Sequence, residues 1–391
     1  MVVNIIGAGL AGCEAAYQLL NRGFEINLFD IKPTKFTPAH SNPDFAELVC
    51  SNSLKNADIT NACGLLKEEM RIFDSIIISS AYKNRVPAGN ALAVNRENFA
   101  KDITQILTSY KKLNFFNDEI TKLPEGFTII STGPLTTDKF SEEIANFIGE
   151  NSLYFFDAAA PIVSAESIDM NYAFYMSRYG KGDNDYLNCP MNKEEYTAFY
   201  NELINAEIVN LKSYESENVF EGCMPIEIMA KRGEDTMRFG PLKPVGLNHP
   251  ETGQKHYAVL QLRKENIAAT MYNMVGFQTN LKFPEQKRIF SMIPALKNAE
   301  FLRYGVMHKN TFINSPKVLD CYFRTKKRPD LYFAGQITGV EGYVESAASG
   351  LIAAINIALC SLNREPVKFP SYTALGALQN HISTISDEYQ P

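Results

Sequence analysis

The sequence predicts an α/β protein in which a Rossmann-like dinucleotide-binding domain is interrupted by an inserted α+β domain. A glycine motif lies between a strand and a helix at the N-terminus, and a second strand–glycine–helix pattern occupies residues 331–350. Between them, from about residue 156, the chain becomes richer in Met, Pro and basic residues. We therefore divide the 391 residues into a first part of the nucleotide-binding domain (1–155), the inserted domain (156–290) and a second part of the nucleotide-binding domain (291–391).

The N-terminal 30 residues have the pattern of a βαβ unit. VVNII predicts a strand, the next residues a helix through about Arg22, and FEINLFD a second strand that ends at Asp30. The turn between strand and helix is G-x-G-x-x-G, which allows a tight turn, close approach of a pyrophosphate to the backbone, and close packing of helix on strand. A carboxylate at the end of the second strand is placed to accept a hydrogen bond from a ribose hydroxyl. The predicted cofactor-binding residues here are Gly7, Ala8, Gly9, Leu10, Ala11, Gly12 and Asp30.

The C-terminal pattern favours FAD over a nicotinamide dinucleotide as the resident cofactor. LYFAGQITGVEGYVESAASG (331–350) predicts a strand, a glycine-rich turn and a helix whose N-terminus faces the same site. A long cofactor needs such a second turn for its flavin end. We add Gly335, Gly339 and Gly342 to the predicted cofactor site, with Gly133 of the STGP segment after another strand.

The inserted domain has one clear helical signal in its first half and one near its end. Apolar residues recur at helical spacing from Asn192 to Leu211, which predicts a helix with a core-facing stripe. EQKRIFSM (285–292) predicts a second helix before Pro294.

Composition excludes several classes of protein. With 45% hydrophobic residues the chain can bury a large core, which excludes a disordered protein. No apolar run approaches the roughly 20 residues of a membrane span, and the N-terminus lacks the basic start of a signal peptide, so we expect a cytoplasmic protein with no membrane partner. The seven cysteines form no CxxC pair and the five histidines are scattered, so we predict no metal site.

Charge is unevenly distributed along a chain whose net charge is −6. Residues 221–330 hold 18 Lys and Arg against 10 Asp and Glu. Such a basic block indicates either a polyanionic partner or a surface that packs against the acidic remainder of the chain.

Two cysteines lie in segments where a thiol could react. Cys50 ends an apolar run and enters a Ser/Asn-rich segment, and Cys223 follows a glycine and precedes Lys231 and Arg232. Each is a candidate nucleophile, and each could equally be one of the buried, inert cysteines that are common in proteins.

Several longer strings resemble those of the folate- and FAD-dependent RNA uracil-5-methyltransferases. The resemblance covers nearly the whole chain and implies a glucose-inhibited-division/glutathione-reductase-like FAD-binding fold. The most specific strings are NIIGAGLAGCEAAYQLL, FAELVCSNSLK, GCMPIEIMAKRGEDTMRFGPLKPVGL, YGVMHKNTFINSP and LYFAGQITGVEGYVESAASGL.

The resemblance implies transfer of a one-carbon unit from methylenetetrahydrofolate, through FAD, to carbon 5 of a uridine, with NADPH or NADH supplying electrons. It assigns Cys223 as the nucleophile at uracil carbon 6 and Cys50 as its partner in proton removal or adduct protection, and a swap of these roles stays open. Tyr343 would stack on the flavin or on the target base. Basic residues of the central block would follow the RNA phosphates; the candidates are Lys231, Arg232, Arg288, Lys309, Lys326, Lys327 and Arg328.

Departures from the family pattern leave the RNA target open. Asn90 stands in a string that usually reads PAGG, and Asn95 stands where relatives tend to carry Asp. The expected substrate is structured RNA, either tRNA or 23S rRNA, and no DNA. Two rival functions remain at this point, namely a flavin-dependent folate oxidoreductase without RNA activity and an RNA-binding flavoprotein in which FAD is structural.

Overall fold

The computed structural model describes residues 1–37, 39–149, 153–180, 184–209, 224–385 and 389, with the backbone alone at 153–157, 308 and 309. The strands are β1 Val2–Ile6, β2 Glu25–Phe29, β3 Ser53–Asn56, β4 Arg85–Val86, β5 Ala91–Val94, β6 Leu113–Phe116, β7 Thr128–Ile130, β8 Leu153–Ala158, β9 Ile162–Ser164, β10 Phe174–Tyr175, β11 Tyr186–Met191, β12 Ala258–Lys264, β13 Met271–Met274, β14 Phe301–Arg303, β15 Met307–Phe312 and β16 Leu331–Phe333. The helices are α1 Leu10–Asn21, α2 Ala62–Ile72, α3 Ile76–Lys83, α4 Arg96–Thr108, α5 Asp138–Ile148, α6 Lys193–Ile204, α7 Ile226–Lys231, α8 Thr236–Phe239, α9 Phe283–Phe290, α10 Ser315–Val318, α11 Tyr343–Ser361 and α12 Ala374–Ser383.

A five-stranded parallel sheet forms the centre of the first domain, in the order β16-β7-β1-β2-β6. Its strands are short and apolar, because a parallel sheet covered by helices buries both of its faces. The C-terminal strand β16 joins the sheet beside β7, so the two ends of the chain build one domain. This arrangement confirms the predicted Rossmann-like α/β fold.

Helices α1 and α11 pack closely against each other over this sheet. A Cβ at Gly350 would lie 2.1 Å from the carbonyl oxygen of Ala11, so only glycine fits there without moving the backbone. Within the described residues α11 is also the one helix long and apolar enough to cross a membrane, and most of its length is buried in the fold, as in core helices of soluble proteins.

The second domain contains a six-stranded sheet in the order β10-β11-β12-β13-β9-β14. Its antiparallel pairs pack against α6, whose apolar stripe includes the buried Tyr196, Phe199 and Leu203. The stripe predicted from helical spacing is therefore confirmed as core. The helix ends at Ile204, and Ile208 instead forms an isolated β-bridge with Leu281.

The boundary between the two hydrophobic cores follows the strand pairing. The second core extends through Ala299 and Phe301, past residue 290, because β14 pairs with β9 of the inserted sheet. The antiparallel pair β8–β15 then leads the chain back, and the first core resumes at Ile313. A small sheet in the order β3-β5-β4 lies beside the segment that carries Cys50.

Candidate functional site

The predicted glycine turn connects β1 to α1, and its glycines serve different purposes. A Cβ at Gly12 would lie 1.9 Å from the carbonyl oxygen of Gly7, and a Cβ at Gly7 would lie 2.5 Å from that of Ser131. These two glycines therefore permit packing within the protein. A Cβ at Gly9 would meet no protein atom within 4 Å. Its missing side chain leaves open space over the helix N-terminus, where a ligand can approach the backbone.

A cavity of about 1150 Å³, counting space open to solvent, lies over this turn at the carboxyl ends of the parallel strands. We call it the first cavity. It is lined by the predicted residues Gly7, Ala8, Gly9, Leu10, Ala11, Asp30, Gly133 and Gly335. Carboxyl-end crevices are where open α/β sheets bind dinucleotides.

Asp30 and the N-terminus of α1 supply the polar groups of the first cavity. The Asp30 carboxylate accepts hydrogen bonds from the backbone N–H of Ala8 (2.7 Å) and of Lys32 (2.9 Å). Each oxygen keeps a second lone pair, so the carboxylate can still accept from a ribose hydroxyl. Gly9 caps α1 without any side-chain hydrogen bond, which leaves first-turn N–H groups for an anion. The residues present therefore fit the adenosine diphosphate part of FAD.

A second cavity, of about 1140 Å³ by the same measure, adjoins the first and contains Cys50. The two share a wall formed by Val49, Pro134, Leu135, Gln336 and Tyr343. A cofactor lying along the first cavity would therefore present its far end to the cavity that holds the candidate cysteine.

Tyr343 fastens the Cys50 segment to the N-terminus of α11. Its hydroxyl oxygen accepts hydrogen bonds from the backbone N–H of Cys50 (2.8 Å) and of Ser51 (3.0 Å). Burial raises the pKa of the Tyr343 phenol, so the hydroxyl stays protonated near neutral pH. Its predicted stacking on a flavin or base remains a prediction, but its place in the shared wall is compatible with it.

Three arginines that sequence reasoning missed hold the same segment from the other side. Arg96 donates to the carbonyl oxygens of Leu48 (2.9 Å) and Cys50 (3.4 Å). Arg303 donates to Val49 O (2.9 Å), and Arg263 to Ser51 Oγ (2.6 Å). No local sequence motif predicts these arginines, because they belong to three separate elements. The one available signal was an arginine inside the apolar strand sequence of β12.

Charged groups line the mouth of the second cavity as well. Lys55 Nζ lies 3.1 Å from Glu345 Oε1, and the other carboxylate oxygen of Glu345 is buried without a hydrogen-bond partner. A Cβ at Gly342 would lie 2.1 Å from that second oxygen. Gly342 thus lines the second cavity and makes room for the ion pair.

Other predicted site residues lie apart from these cavities. Gly12 is buried beneath the turn. Gly339 borders neither cavity, because the Tyr389 ring packs against it and would lie 2.6 Å from a Cβ there. Cys223 lies outside the described residues.

The RNA-binding candidates belong to several elements. Arg288 pairs with Glu285 and Glu202. Lys326, Lys327 and Arg328 precede β16, at the end of that strand remote from Gly335, and they donate to the backbone carbonyls of Pro316, Ile148 and Pro124. Lys231 is exposed at the end of α7 and Arg232 follows it, whereas the side chain of Lys309 is outside the described set. RNA contact by any of the seven stays a prediction.

The fold and the first cavity define a two-domain dinucleotide-binding protein of the Rossmann type. Two solved structures of GidA from Aquifex aeolicus share the fold, with TM-scores of 0.73 and 0.74 at 16% and 14% identity; the alignments cover 98% and 99% of this chain and 67% and 71% of those chains.

Sequence comparison gives the family. Residues 2–365 match the family described as glucose inhibited division protein A. The chain is 59% identical, over its full length and 90% of the relative's, to the methylenetetrahydrofolate–tRNA-(uracil-5-)-methyltransferase TrmFO of Acetivibrio thermocellus. It is 57% identical to the protein of the same name in Lactobacillus helveticus, covering 100% of this chain and 96% of the relative. The chain belongs to this methyltransferase family, and the resemblance noted in the sequence is confirmed.

Proposed function

We propose that this chain methylates carbon 5 of a uridine in tRNA, with methylenetetrahydrofolate as carbon donor and NADPH or NADH as reductant. The relatives at 57–59% identity are named for this activity on tRNA, which favours tRNA over the 23S rRNA alternative. The first cavity would hold FAD, which would supply the carrier for the one-carbon unit and pass on the electrons from NADPH or NADH that reduce it to a methyl group. Six free cysteines among the described residues are consistent with action in the reducing cytoplasm.

The observation that carries the proposal is the wall shared by the two cavities. It brings Cys50 next to the end of a dinucleotide site without placing the thiol in that site. Methylation at carbon 5 requires a nucleophile at carbon 6 and removal of the carbon 5 proton. We assign Cys223 to the first task and Cys50 to the second, since a thiolate is an effective nucleophile near neutral pH and both groups must reach one base.

The protein contributes positioning and positive charge to this chemistry. Tyr343 and two of the arginines bond to the backbone of residues 48–51, and Arg263 bonds to the side chains of Ser51 and Asn52, so the segment that carries Cys50 is held in place. Arg263 also lines the second cavity. Its guanidinium is placed to stabilise the negative charge that develops on a uracil ring after attack at carbon 6.

The experiment is a methylation assay with FAD, NADPH and isotopically labelled methylenetetrahydrofolate. Unmodified tRNA and a 23S rRNA fragment are offered in parallel, and 5-methyluridine is identified by mass spectrometry after nuclease digestion. Labelled 5-methyluridine in tRNA alone is the expected result, and label in the rRNA fragment alone would refute the choice of tRNA. Folate-dependent oxidation of NADPH, with no label in either RNA, would instead support the alternative that the protein is a folate oxidoreductase. An enzyme that binds RNA, with FAD that NADPH does not reduce, would support a structural role for FAD.

A further inference from the structure

A groove between the two domains opens next to the second cavity. We call it the interdomain groove; it encloses about 800 Å³, counting its open side. It is lined by Asn56, the turn 88–91, Arg178, Tyr179, Tyr186 and Gln261. Lys55 lines both the groove and the second cavity, so the two spaces meet at this side chain.

Hydrogen bonds between the domains fix the walls of the groove. The backbone N–H of Gly89 donates to Asp185 Oδ2 at 2.6 Å, and the Tyr186 hydroxyl donates to Ala88 O at 3.4 Å. The turn 88–91 from the first domain is thereby held against the start of β11 from the second. The groove is thus a built feature of the domain arrangement.

Tyr179 presents an aromatic ring at this groove in a costly conformation. Its φ is +60°, in the left-handed region that bulky residues rarely adopt, and 56% of the residue is exposed. One side of the ring lies on the backbone of Gly246, where a Cβ would be 2.8 Å from two ring carbons. Strained backbone conformations cluster at functional sites, so the exposed part of this ring is a candidate binding surface.

Arg178 makes the groove positive. Its guanidinium donates to Lys243 O (2.7 Å), Val245 O (2.6 Å) and Gln261 Oε1 (3.1 Å), all of them neutral acceptors. No carboxylate occurs among the described residues that line the groove. Asp185 and Glu345 lie just outside this lining and contact Gly89 N–H and Lys55 Nζ, so the positive charge that favours an anionic ligand comes from Arg178.

We infer that the interdomain groove binds a nucleotide of the RNA substrate next to the target uridine. Its base stacks on Tyr179, and its phosphate lies near Arg178 and Lys55, while the target base enters the second cavity beyond Lys55. Stacking on an aromatic ring combined with a cationic groove is how proteins hold unpaired nucleotides. The inference rests on the proposed function, since it assumes an RNA substrate whose target base reaches the second cavity.

The test compares Tyr179→Ala with Tyr179→Phe in the FAD-loaded enzyme. Loss of one base–aromatic stack predicts that Tyr179→Ala weakens tRNA binding roughly ten-fold, whereas Tyr179→Phe, which keeps the ring, stays within about two-fold of wild type. Tyr372→Ala is the matched control, because Tyr372 is 86% exposed and lines neither the groove nor the cavities. Reduction of bound FAD by NADPH without RNA should be equal in all four proteins.

Two further measurements keep the inference testable if a variant is unstable. Ultraviolet crosslinking of tRNA to the wild-type protein should mark the peptide that contains Tyr179. Arg178→Gln should lower the slope of log Kd against log salt by roughly 0.7 to 0.9, the share of one phosphate contact, while Arg71→Gln on the exposed face of α2 should not change the slope.

The outcomes separate this inference from the proposed function. Wild-type tRNA affinity in Tyr179→Ala, or crosslinks only elsewhere, would overturn the groove assignment while leaving the methyltransferase proposal intact. Failure of the wild-type enzyme to bind tRNA would refute both.

Discussion

Replacing Tyr343 with Phe should remove the hydrogen bonds that position the Cys50 segment while leaving the other contacts of the site unchanged. The ring would remain in the shared wall, and only the hydroxyl that accepts from the backbone N–H of Cys50 and Ser51 would be lost. One fully buried donor without an acceptor costs about 1–3 kcal/mol, and because these two are only partly buried we take about 1–3 kcal/mol for the pair. We expect the free energy of unfolding to fall by that amount and the methylation rate to fall roughly ten-fold to a hundred-fold, because small misplacements of reacting groups are expensive.

The assay measures methylation at saturating tRNA and folate together with chemical unfolding of the same protein. Tyr332→Phe is the control, since it also removes a buried hydroxyl of the first domain, one that contacts Cys360 Sγ at 3.7 Å and lies away from both cavities. The control should methylate at the wild-type rate. If Tyr343→Phe kept both the wild-type rate and the wild-type stability, the hydroxyl would not position the Cys50 segment and the reasoning would fail.

Three further predictions address the cofactor turn, a buried carboxyl group and a buried ion pair. Gly9→Ala should destabilise the cofactor-free protein by no more than about 1 kcal/mol, the difference between Gly and Ala at an N-cap, but release FAD during gel filtration. Gly12→Ala should destabilise the protein far more, because only its Cβ collides with backbone. Burial raises the pKa of Glu14 to about 7, above its ordinary value of 4.5. The unfolded chain therefore binds fewer protons between those pH values, and stability should fall by about 3 kcal/mol as pH rises through that window. Glu14→Gln should remove this slope from unfolding curves measured between pH 4.5 and 7. Glu265→Ala should cost about 3–5 kcal/mol in chemical unfolding, since it leaves the guanidinium of Arg96 buried without its carboxylate; an unchanged midpoint would contradict the importance of that pair.

Local sequence patterns predicted the parts of the fold that depend on local chain geometry. The glycine turn, both flanking strands and α11 were predicted because each has a short-range signal, namely special backbone space at glycine or a run of residues with one period. Asn95 departs from the family pattern without disturbing α4, because its side chain still caps the helix by accepting from Asn98 N–H at 3.0 Å. Asn and Asp serve equally well as N-caps.

The features that sequence reasoning missed depend on contacts between distant segments. The periodicity of α6 continues to Ile208, yet the helix ends at Ile204 because the chain there pairs with Leu281 instead. Gly339 has the same local signal as Gly335, but a ring from residue 389 packs against it. The arginines around the Cys50 segment come from α4, β12 and β14, and only the folded chain brings them together.

The most direct test of the account measures release of tritium from tRNA that carries [5-³H]uridine. Wild-type enzyme with FAD, NADPH and methylenetetrahydrofolate should release one tritium for each 5-methyluridine formed. Cys50→Ala should still bind FAD and tRNA, but its rate of tritium release should fall by about a hundred-fold or more. Cys321 lies outside both cavities, so Cys321→Ala should release tritium at the wild-type rate. Release at the wild-type rate from Cys50→Ala would contradict the claim that the second cavity is where carbon 5 of the uridine reacts.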